Sequence, residues 1–224
     1  YIVERKRIKL YFNSFNMTKI AADRDVAISS FENTASKDLS KLLETEVKVS
    51  FQDGARVNNT YNSPNGAWDI DQYINVDHLE DQKDYIYNQY TEDPSLLEGI
   101  TRQRDLKQYF YSGLLKSNCR VTSQPDWGDV FIYIKSKYAI DAHSIKKYIV
   151  SYRDECHFHE EICECFYKRL KDAFDPSELL VMCLYARRGG IDINPVRASN
   201  QDLIDEFAGS LVDPDVVHIK TSKQ

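Results

Sequence analysis

The stretch LLKSNCRVTSQPDWGDV, residues 114–130, lies between two segments with the patterns of β-strands. DLKQYFYSG (105–113) precedes it, and apolar and polar residues alternate in DVFIYIKS (129–136). Two strands joined by a short polar segment predict an antiparallel pair. This pair is the starting point for the fold of the second half of the chain.

The polar segment contains two residues that could carry chemistry. Cys119 lies among small polar residues, whereas a core cysteine is expected in an apolar run. Asp126 follows seven residues later, and we expect Pro125–Gly128 to form a rigid turn that holds its carboxylate. A thiolate is a nucleophile, so Asp126 is a candidate partner for proton transfer. The alternative is a cysteine at a strand end and a turn residue, neither with a chemical role.

The composition of the chain limits the kinds of protein that it could be. It has 224 residues, of which 42% are hydrophobic and 29% charged, as expected of a soluble globular protein. The formal net charge of −6 argues against binding to nucleic-acid backbones. No apolar run is long enough to span a membrane. Five irregularly spaced cysteines do not suggest a disulfide framework, so we expect a cytoplasmic protein.

Periodicity predicts further helices and strands. Helical spacing occurs at 7–16 and 23–44 and again at about 141–153 and 156–173, with Asp141 as an N-cap. Strands are predicted at 47–52, 84–91 and 179–187.

A weak internal repeat indicates two related modules. IKLYFNSF (8–15) aligns with IKKYIVSY (145–152), and WDID (68–71) is echoed by IDIN (191–194) at a similar distance downstream. We therefore expect an α+β fold in which each module packs paired helices on antiparallel strands. The first module would span residues 1–81 without its leading hairpin, and the second, catalytic module residues 82–224.

Two further motifs invite interpretation. HFHEEICEC (157–165) suggests zinc, but its spacing brings at most two ligands to one helix face, so a structural helix that presents His159 or Glu160 is preferred. ARRGGIDINP (186–195) combines a glycine pair with two arginines, which suits a phosphate group or a plain basic turn. Neither a Rossmann fingerprint nor a P-loop is present.

Together these segments resemble the NADPH-dependent 7-cyano-7-deazaguanine reductases of queuosine biosynthesis, in their long, two-module form. The resemblance is carried by LLKSNC with QPDWG, by FHE (158–160) and by RRGGIDINP in the family's order. VERKRIKLYFNSFN (3–16) is similar to the family's E-x-K-x-x-K-L-Y signature, while residues 20–100 match loosely.

The resemblance implies a tunnelling fold, in which ferredoxin-like modules assemble across the subunits of a homodimer into a barrel. It also implies reduction of a nitrile to an aminomethyl group by NADPH. Cys119 would form a covalent thioimide with the nitrile carbon, and Asp126 would shuttle the proton.

The remaining site residues are also implied by the resemblance. No metal is expected, and Arg5 stands where the family usually has serine. The expected substrate-binding residues are Val3, Glu4, Arg5, His159 and Glu160, and the expected NADPH-binding residues are Arg5, Lys6, Arg188 and Gly189.

Two other functions compete with this interpretation. A zinc-dependent cyclohydrolase on a similar fold would require bound metal, which elemental analysis of the purified protein detects. A non-catalytic purine-binding module would bind the ligand without turning it over.

Overall fold

The computed structural model describes residues 5–15, 18–51, 72–80, 86–186 and 193–207. Contacts divide the chain into two units, Tyr1–Arg56 and Val57–Gln224. The module boundary after residue 81 stays a prediction. None of the helices in the described ranges is long and apolar enough to cross a membrane.

The first unit contains two helices in its described residues, and both predicted helices are confirmed. They are α1 (Arg5–Ser14) and α2 (Arg24–Leu43). Asp23 caps α2, because its carboxylate accepts the N–H of Val26 at 3.0 Å. The helices meet through aromatic rings, since Phe31 packs against Phe12 and Phe15 with centroids 5.8 and 5.0 Å away.

The strand predicted at 47–52 is wrong for the described residues, 47–51, which have no strand structure. Alternate N–H groups of this segment donate to polar side chains four residues apart on α2 instead of to another strand. These pairs are Val47 with Ser40 Oγ (2.8 Å), Val49 with Ser36 Oγ (2.9 Å) and Phe51 with Glu32 Oε1 (2.7 Å).

The second unit is built on a five-stranded sheet with its strands in chain order. The strands are β1 (Ile74–Asn75), β2 (Gly99–Asn118), β3 (Pro125–Ile140), β4 (Glu178–Tyr185) and β5 (Val196–Ala198). β1 pairs with β2 in parallel, and all other neighbours are antiparallel. The strand pair on either side of residues 114–130 is therefore confirmed as a long hairpin.

The strand predicted at 84–91 is wrong over its described part, residues 86–91. The backbone of this segment and of Glu92 is hydrogen-bonded to Asp154 and Glu155 rather than to a strand of the sheet. The carbonyl of Tyr90 accepts the N–H of Asp154 at 2.9 Å, and the N–H of Glu92 donates to Glu155 Oε1 at 2.9 Å.

Two helices cover one face of the sheet, as the sequence predicted. They are α3 (Ala142–Val150), followed by a 3₁₀ turn at Ser151–Asp154, and α4 (His159–Phe174). Asp141 caps α3 by accepting the N–H of His143 at 3.1 Å. The core between helices and sheet contains Val130, Ile132, Ile134, Ile145, Ile149, Ile162, Phe166 and Val181.

The opposite face of the sheet carries a second apolar cluster. Phe131 and Tyr133 point to this side because successive strand residues alternate between faces. A short helix, α5 (Gln201–Phe207), covers part of it with Leu203 and Phe207. The α+β class is confirmed, with an antiparallel hairpin at its centre and paired helices on one face.

Candidate active site

A six-residue connection at the tip of the β2–β3 hairpin places Cys119 directly after β2. The N–H of Cys119 donates to the carbonyl of Gln124 at 2.8 Å, and the N–H of Ser123 donates to the carbonyl of Cys119 at 2.8 Å. Ser123 has a left-handed φ of 52°, which lets the chain close this tight loop. The loop therefore fixes both backbone groups of the candidate nucleophile.

The structure corrects the predicted position of the turn. Pro125–Gly128 is the beginning of β3, and the turn lies one step earlier, at 119–124. Proline is tolerated as the first residue of a strand because it has no N–H to contribute to the ladder. Asp126 is consequently a strand residue, and it lies opposite Ser117 in the hairpin.

The thiol of Cys119 is half-buried and surrounded by hydrogen-bond donors. The hydroxyl of Thr122, followed by the backbone N–H groups of Thr122 and Val121, lowers the pKa of Cys119 below its usual value. Partial burial and the negative charge of Asp126 act in the opposite direction, so Asp126 lies within electrostatic range. Donors aimed at a sulfur stabilise its thiolate, which is the nucleophilic form.

Asp126 is buried, and its carboxylate lies beside the imidazole of His159. Oδ2 of Asp126 lies 3.3 Å from Nε2 of His159, and their side chains are 5% and 11% exposed. His159 is the first residue of α4, so the helix start delivers the imidazole to the hairpin. A buried carboxylate beside an imidazole can hold and pass on a proton.

The imidazole ring is held from the other side by a stack. The rings of His159 and Tyr185 lie parallel, with centroids 3.8 Å apart and planes 7° from each other. Tyr185 in turn lies over Gly128, where a Cβ would come within 3.1 Å of both the tyrosine ring and the carbonyl of Leu184. Glycine at this strand position leaves the space that the tyrosine ring occupies.

Nδ1 of His159 is buried and has no hydrogen-bond partner in the part of the chain that the structure describes. The other ring nitrogen, Nε2, faces the carboxylate of Asp126. Glu160 follows on α4 and is exposed, so its carboxylate is accessible to a ligand.

Backbone pairing brings the start of α4 to the tip of the hairpin. Asn118 N–H donates to the carbonyl of Glu155 at 2.8 Å, and His157 N–H donates to the carbonyl of Asn118 at 3.2 Å. Lys116, which is buried, donates from Nζ to the carbonyl of Arg153 at 2.5 Å. The end of β2 is thereby tied to the segment before the helix.

The other four cysteines lie in different surroundings. Cys163 is buried and donates to the carbonyls of Val181 and Pro195 at 3.5 and 3.4 Å. Burial, with a hydrogen bond to Cys163, raises the pKa of the Cys183 thiol. Cys156 is exposed and Cys165 half-buried. Within the described ranges, no three histidine, cysteine or acidic side chains form a group that could hold a metal ion.

The structure thus brings together Cys119, Asp126 and His159, with Glu160 next to His159. Val3, Glu4, Arg188 and Gly189 lie outside the described residues. Arg5 and Lys6 lie in α1, and their side chains are likewise outside the description.

Sequence reasoning missed two residues of the site. Thr122 supplies the donors to the thiol, and a hydroxyl residue three places after a cysteine in a short polar loop was the available signal. Tyr185 ends the apolar run 179–185 of β4, so nothing in its sequence context distinguished it from a core residue.

Comparisons with known proteins identify relatives of the chain. A profile of the family described as QueF-like protein matches residues 125–203. The NADPH-dependent 7-cyano-7-deazaguanine reductase of Colwellia psychrerythraea is 38% identical over 202 residues, which cover 89% of this chain and 66% of that protein. The protein of the same name from Psychrobacter cryohalolentis is 37% identical over 210 residues, with 91% and 70% covered.

The chain spans about two thirds of the length of these relatives, 66% and 70%. A crystal structure of the apo archaeosine synthase QueF-Like aligns with a TM-score of 0.38 and 20% identity, covering 43% of this chain and 94% of that one. That similarity is too low to bear on the fold. The identity to the curated relatives, in contrast, extends over nine tenths of the chain, which therefore belongs to the family of NADPH-dependent 7-cyano-7-deazaguanine reductases.

Proposed function

We propose that the protein reduces the nitrile of 7-cyano-7-deazaguanine to the aminomethyl group of 7-aminomethyl-7-deazaguanine with NADPH, in queuosine biosynthesis. The observation that carries the proposal is the environment of Cys119, where Thr122 and Val121 lower the pKa of the thiol near a buried Asp126–His159 pair. The names of the relatives support the same substrate and cofactor.

The first step is addition of the Cys119 thiolate to the nitrile carbon. The S–C bond forms, one C–N π bond breaks, and the nitrogen takes up a proton to give a thioimide. A nitrile accepts hydride poorly, whereas the thioimide carbon is a better acceptor because its nitrogen can be protonated. The proposal assigns the supply of that proton to Asp126, and its pairing with His159 supports this role.

The loop at 119–124 also serves the later steps. NADPH, when bound, supplies one hydride at a time, and two are needed for this four-electron reduction. After the first reduction of the thioimide carbon, the C–S bond breaks and the sulfur returns to the donors of Thr122 and Val121. The resulting imine stays in the site for the second reduction, and Asp126 delivers the second proton.

Arg5, Lys6, Arg188 and Gly189 are the residues proposed to hold NADPH. Three cations and a glycine suit the chemistry of its phosphate groups, because guanidinium and ammonium groups pair with phosphate oxygens. Glu160 and His159 are proposed to bind the deazaguanine ring, together with Val3, Glu4 and Arg5.

We also propose a cytoplasmic homodimer of two-module subunits, divided at residues 1–81 and 82–224, without nucleic-acid or membrane partners. The edge of the sheet at β2 supports this assembly. β1 pairs with β2 only at Phe110 and Tyr111, so most of that edge of β2 has no strand beside it among the described residues. Such an edge favours pairing with another subunit. Sedimentation of the active complete protein as a monomer at micromolar concentration would contradict it.

The experiment that tests the function is intact mass measurement after incubation with 7-cyano-7-deazaguanine in the absence of NADPH. Addition expels no leaving group, so the expected gain equals the mass of the whole nitrile. A purine-binding module would leave the protein mass unchanged. Added NADPH should then restore the original mass as the reduced product leaves.

A further inference from the structure

The side chain of Arg120 connects the loop of the nucleophile to the start of α4. Arg120 follows Cys119 directly, but its guanidinium reaches back to the segment that precedes the helix. Nε lies 3.4 Å from the carbonyl of Cys156, and the charged group lies 5.3 Å from the centre of the Phe158 ring. This contact over an aromatic face is of the cation–π type.

The same guanidinium binds a carboxylate that begins the helix. Arg120 Nη1 donates to Glu161 Oε1 at 2.9 Å, while Glu161 Oε2 accepts the N–H of Phe158 at 2.8 Å. Glu161 is the third residue of α4, so this second bond caps the helix that opens with His159 and Glu160. Arg120 and the helix start thus share one carboxylate.

A histidine completes the connection. Arg120 Nη2 lies 3.0 Å from His157 Nδ1, and His157 Nε2 lies 3.0 Å from Glu155 Oε2. A guanidinium can only donate, so Nδ1 accepts from Arg120 and Nε2 carries the proton that is donated to Glu155. Arg120 therefore contacts three successive residues before α4, Cys156, His157 and Phe158, as well as Glu161 in its first turn.

Backbone hydrogen bonds alone do not hold the Cys119 loop against the start of α4. The ladder between β2 and the segment before α4 ends at Asn118, whose partners are Glu155 and His157. Residues 120–123 of the loop are exposed and lie beyond it. The groups that lower the pKa of Cys119 are Thr122 and Val121. The contacts of Arg120 act on the geometry of the loop.

We propose that Arg120 is a positioning residue, which keeps the Cys119 loop in register with the first turn of α4 so that the thiol and the ring-binding side chains act on one substrate molecule. The inference rests on the proposed function for its substrate. Misplacement of a reacting group by about 1 Å can cost ~10²-fold in rate, so a loosened loop should slow addition strongly.

The test compares Arg120→Met, which keeps most of the side-chain volume, with Arg120→Lys, which keeps the charge. The rate of adduct formation with 7-cyano-7-deazaguanine should fall ~10–100-fold in Arg120→Met and partly recover in Arg120→Lys. Alkylation of Cys119 by iodoacetamide across pH should stay within about twofold of wild type, because the donors to the sulfur remain.

Glu161→Gln should cause a similar loss, and combining it with Arg120→Met should add little, because both changes break one connection. Lys168→Met is the matched control, since Lys168 forms an exposed pair with Asp172 (3.1 Å) farther along the same helix. The control should behave as wild type.

Hydrogen exchange separates this proposal from the proposed function. In Arg120→Met, amides of 119–124 and of 158–161 should exchange faster together, whatever the substrate of the protein. Unchanged exchange in both segments overturns the positioning role, as does equal slowing of alkylation and nitrile addition. If wild-type protein forms no adduct while exchange responds as expected, the proposed function fails and the positioning role of Arg120 stands.

Discussion

Oδ2 of Asp126 lies 3.3 Å from Nε2 of His159, with the carboxylate buried in the hairpin and the imidazole at the first position of α4. The two residues come from different elements and are 33 positions apart. A carboxylate held in this way cannot be replaced in proton transfer by a neutral amide.

Asp126→Asn should still bind the nitrile but reduce it slowly. The amide occupies the same space but cannot donate a carboxylic proton, so turnover should fall by ~10²–10⁴-fold. Single-turnover reduction followed by product quantitation measures this. Asp172→Asn, an exposed carboxylate on α4, is the control and should retain full activity. Wild-type turnover in Asp126→Asn would remove Asp126 from the mechanism.

Cys119→Ala should abolish both adduct formation and turnover, because the proposed mechanism depends on the thiolate that Thr122 and Val121 favour at this position. Peptide mapping after incubation with the nitrile should place the added mass on Cys119. Cys156→Ser and Cys165→Ser should form the adduct normally. Mapping of the adduct to Cys156, Cys163, Cys165 or Cys183 would falsify the proposed mechanism.

Thr122→Val should raise the pKa of the Cys119 thiol. The hydroxyl of Thr122 donates to the sulfur and is the largest cause of its lowered pKa, so its loss disfavours the thiolate. The midpoint of the iodoacetamide alkylation profile should move to higher pH, and alkylation at neutral pH should slow. Thr122→Ser keeps the donor and should leave the midpoint near that of wild type. A midpoint that does not move in Thr122→Val contradicts this assignment.

Glu160→Ala should weaken binding of 7-cyano-7-deazaguanine by roughly 2–3 kcal/mol, as expected for lost hydrogen bonds to a charged group. Calorimetry in the Cys119→Ala background measures non-covalent binding alone. Asp172→Ala on the same helix is the control. An unchanged affinity would show that Glu160 does not contact the ring.

NADPH should be preferred over NADH. Arg5, Lys6 and Arg188 are cations suited to the 2′-phosphate, and the sequence lacks the Rossmann acid that would select a free ribose hydroxyl. Steady-state kinetics with both cofactors gives the ratio of kcat/KM. Comparable values would contradict the proposed role of these cations.

Local patterns predicted most of the fold because amphipathic periodicity reflects which face of an element is buried. The helices α1 to α4 and the strands β3 and β4 follow their patterns closely. The segment 47–51 has the alternation of a strand, yet the side chains of Ser36 and Ser40 satisfy its N–H groups. A periodic pattern does not specify whether a strand or a helix supplies the partners.

The sequence identified the main residues of the candidate site but not their arrangement in space. Cys119 and Asp126 could be identified from their polar context, but the turn was placed at Pro125–Gly128 instead of 119–124. The contact between Asp126 and His159 depends on the pairing of Asn118 with Glu155 and His157, a contact between distant parts of the chain. No local rule predicts that pairing.

The parallel stack of His159 on Tyr185 should also give the site a distinctive proton NMR signal. Protons in the plane of one aromatic ring that lie above the face of another experience its ring current, so the imidazole protons of His159 should resonate upfield of those of a free histidine. With only five histidines in the chain, that signal should be resolved. A purine-like ring that binds beside His159 would add its own ring current, so occupancy of the site could be followed by proton NMR without any label.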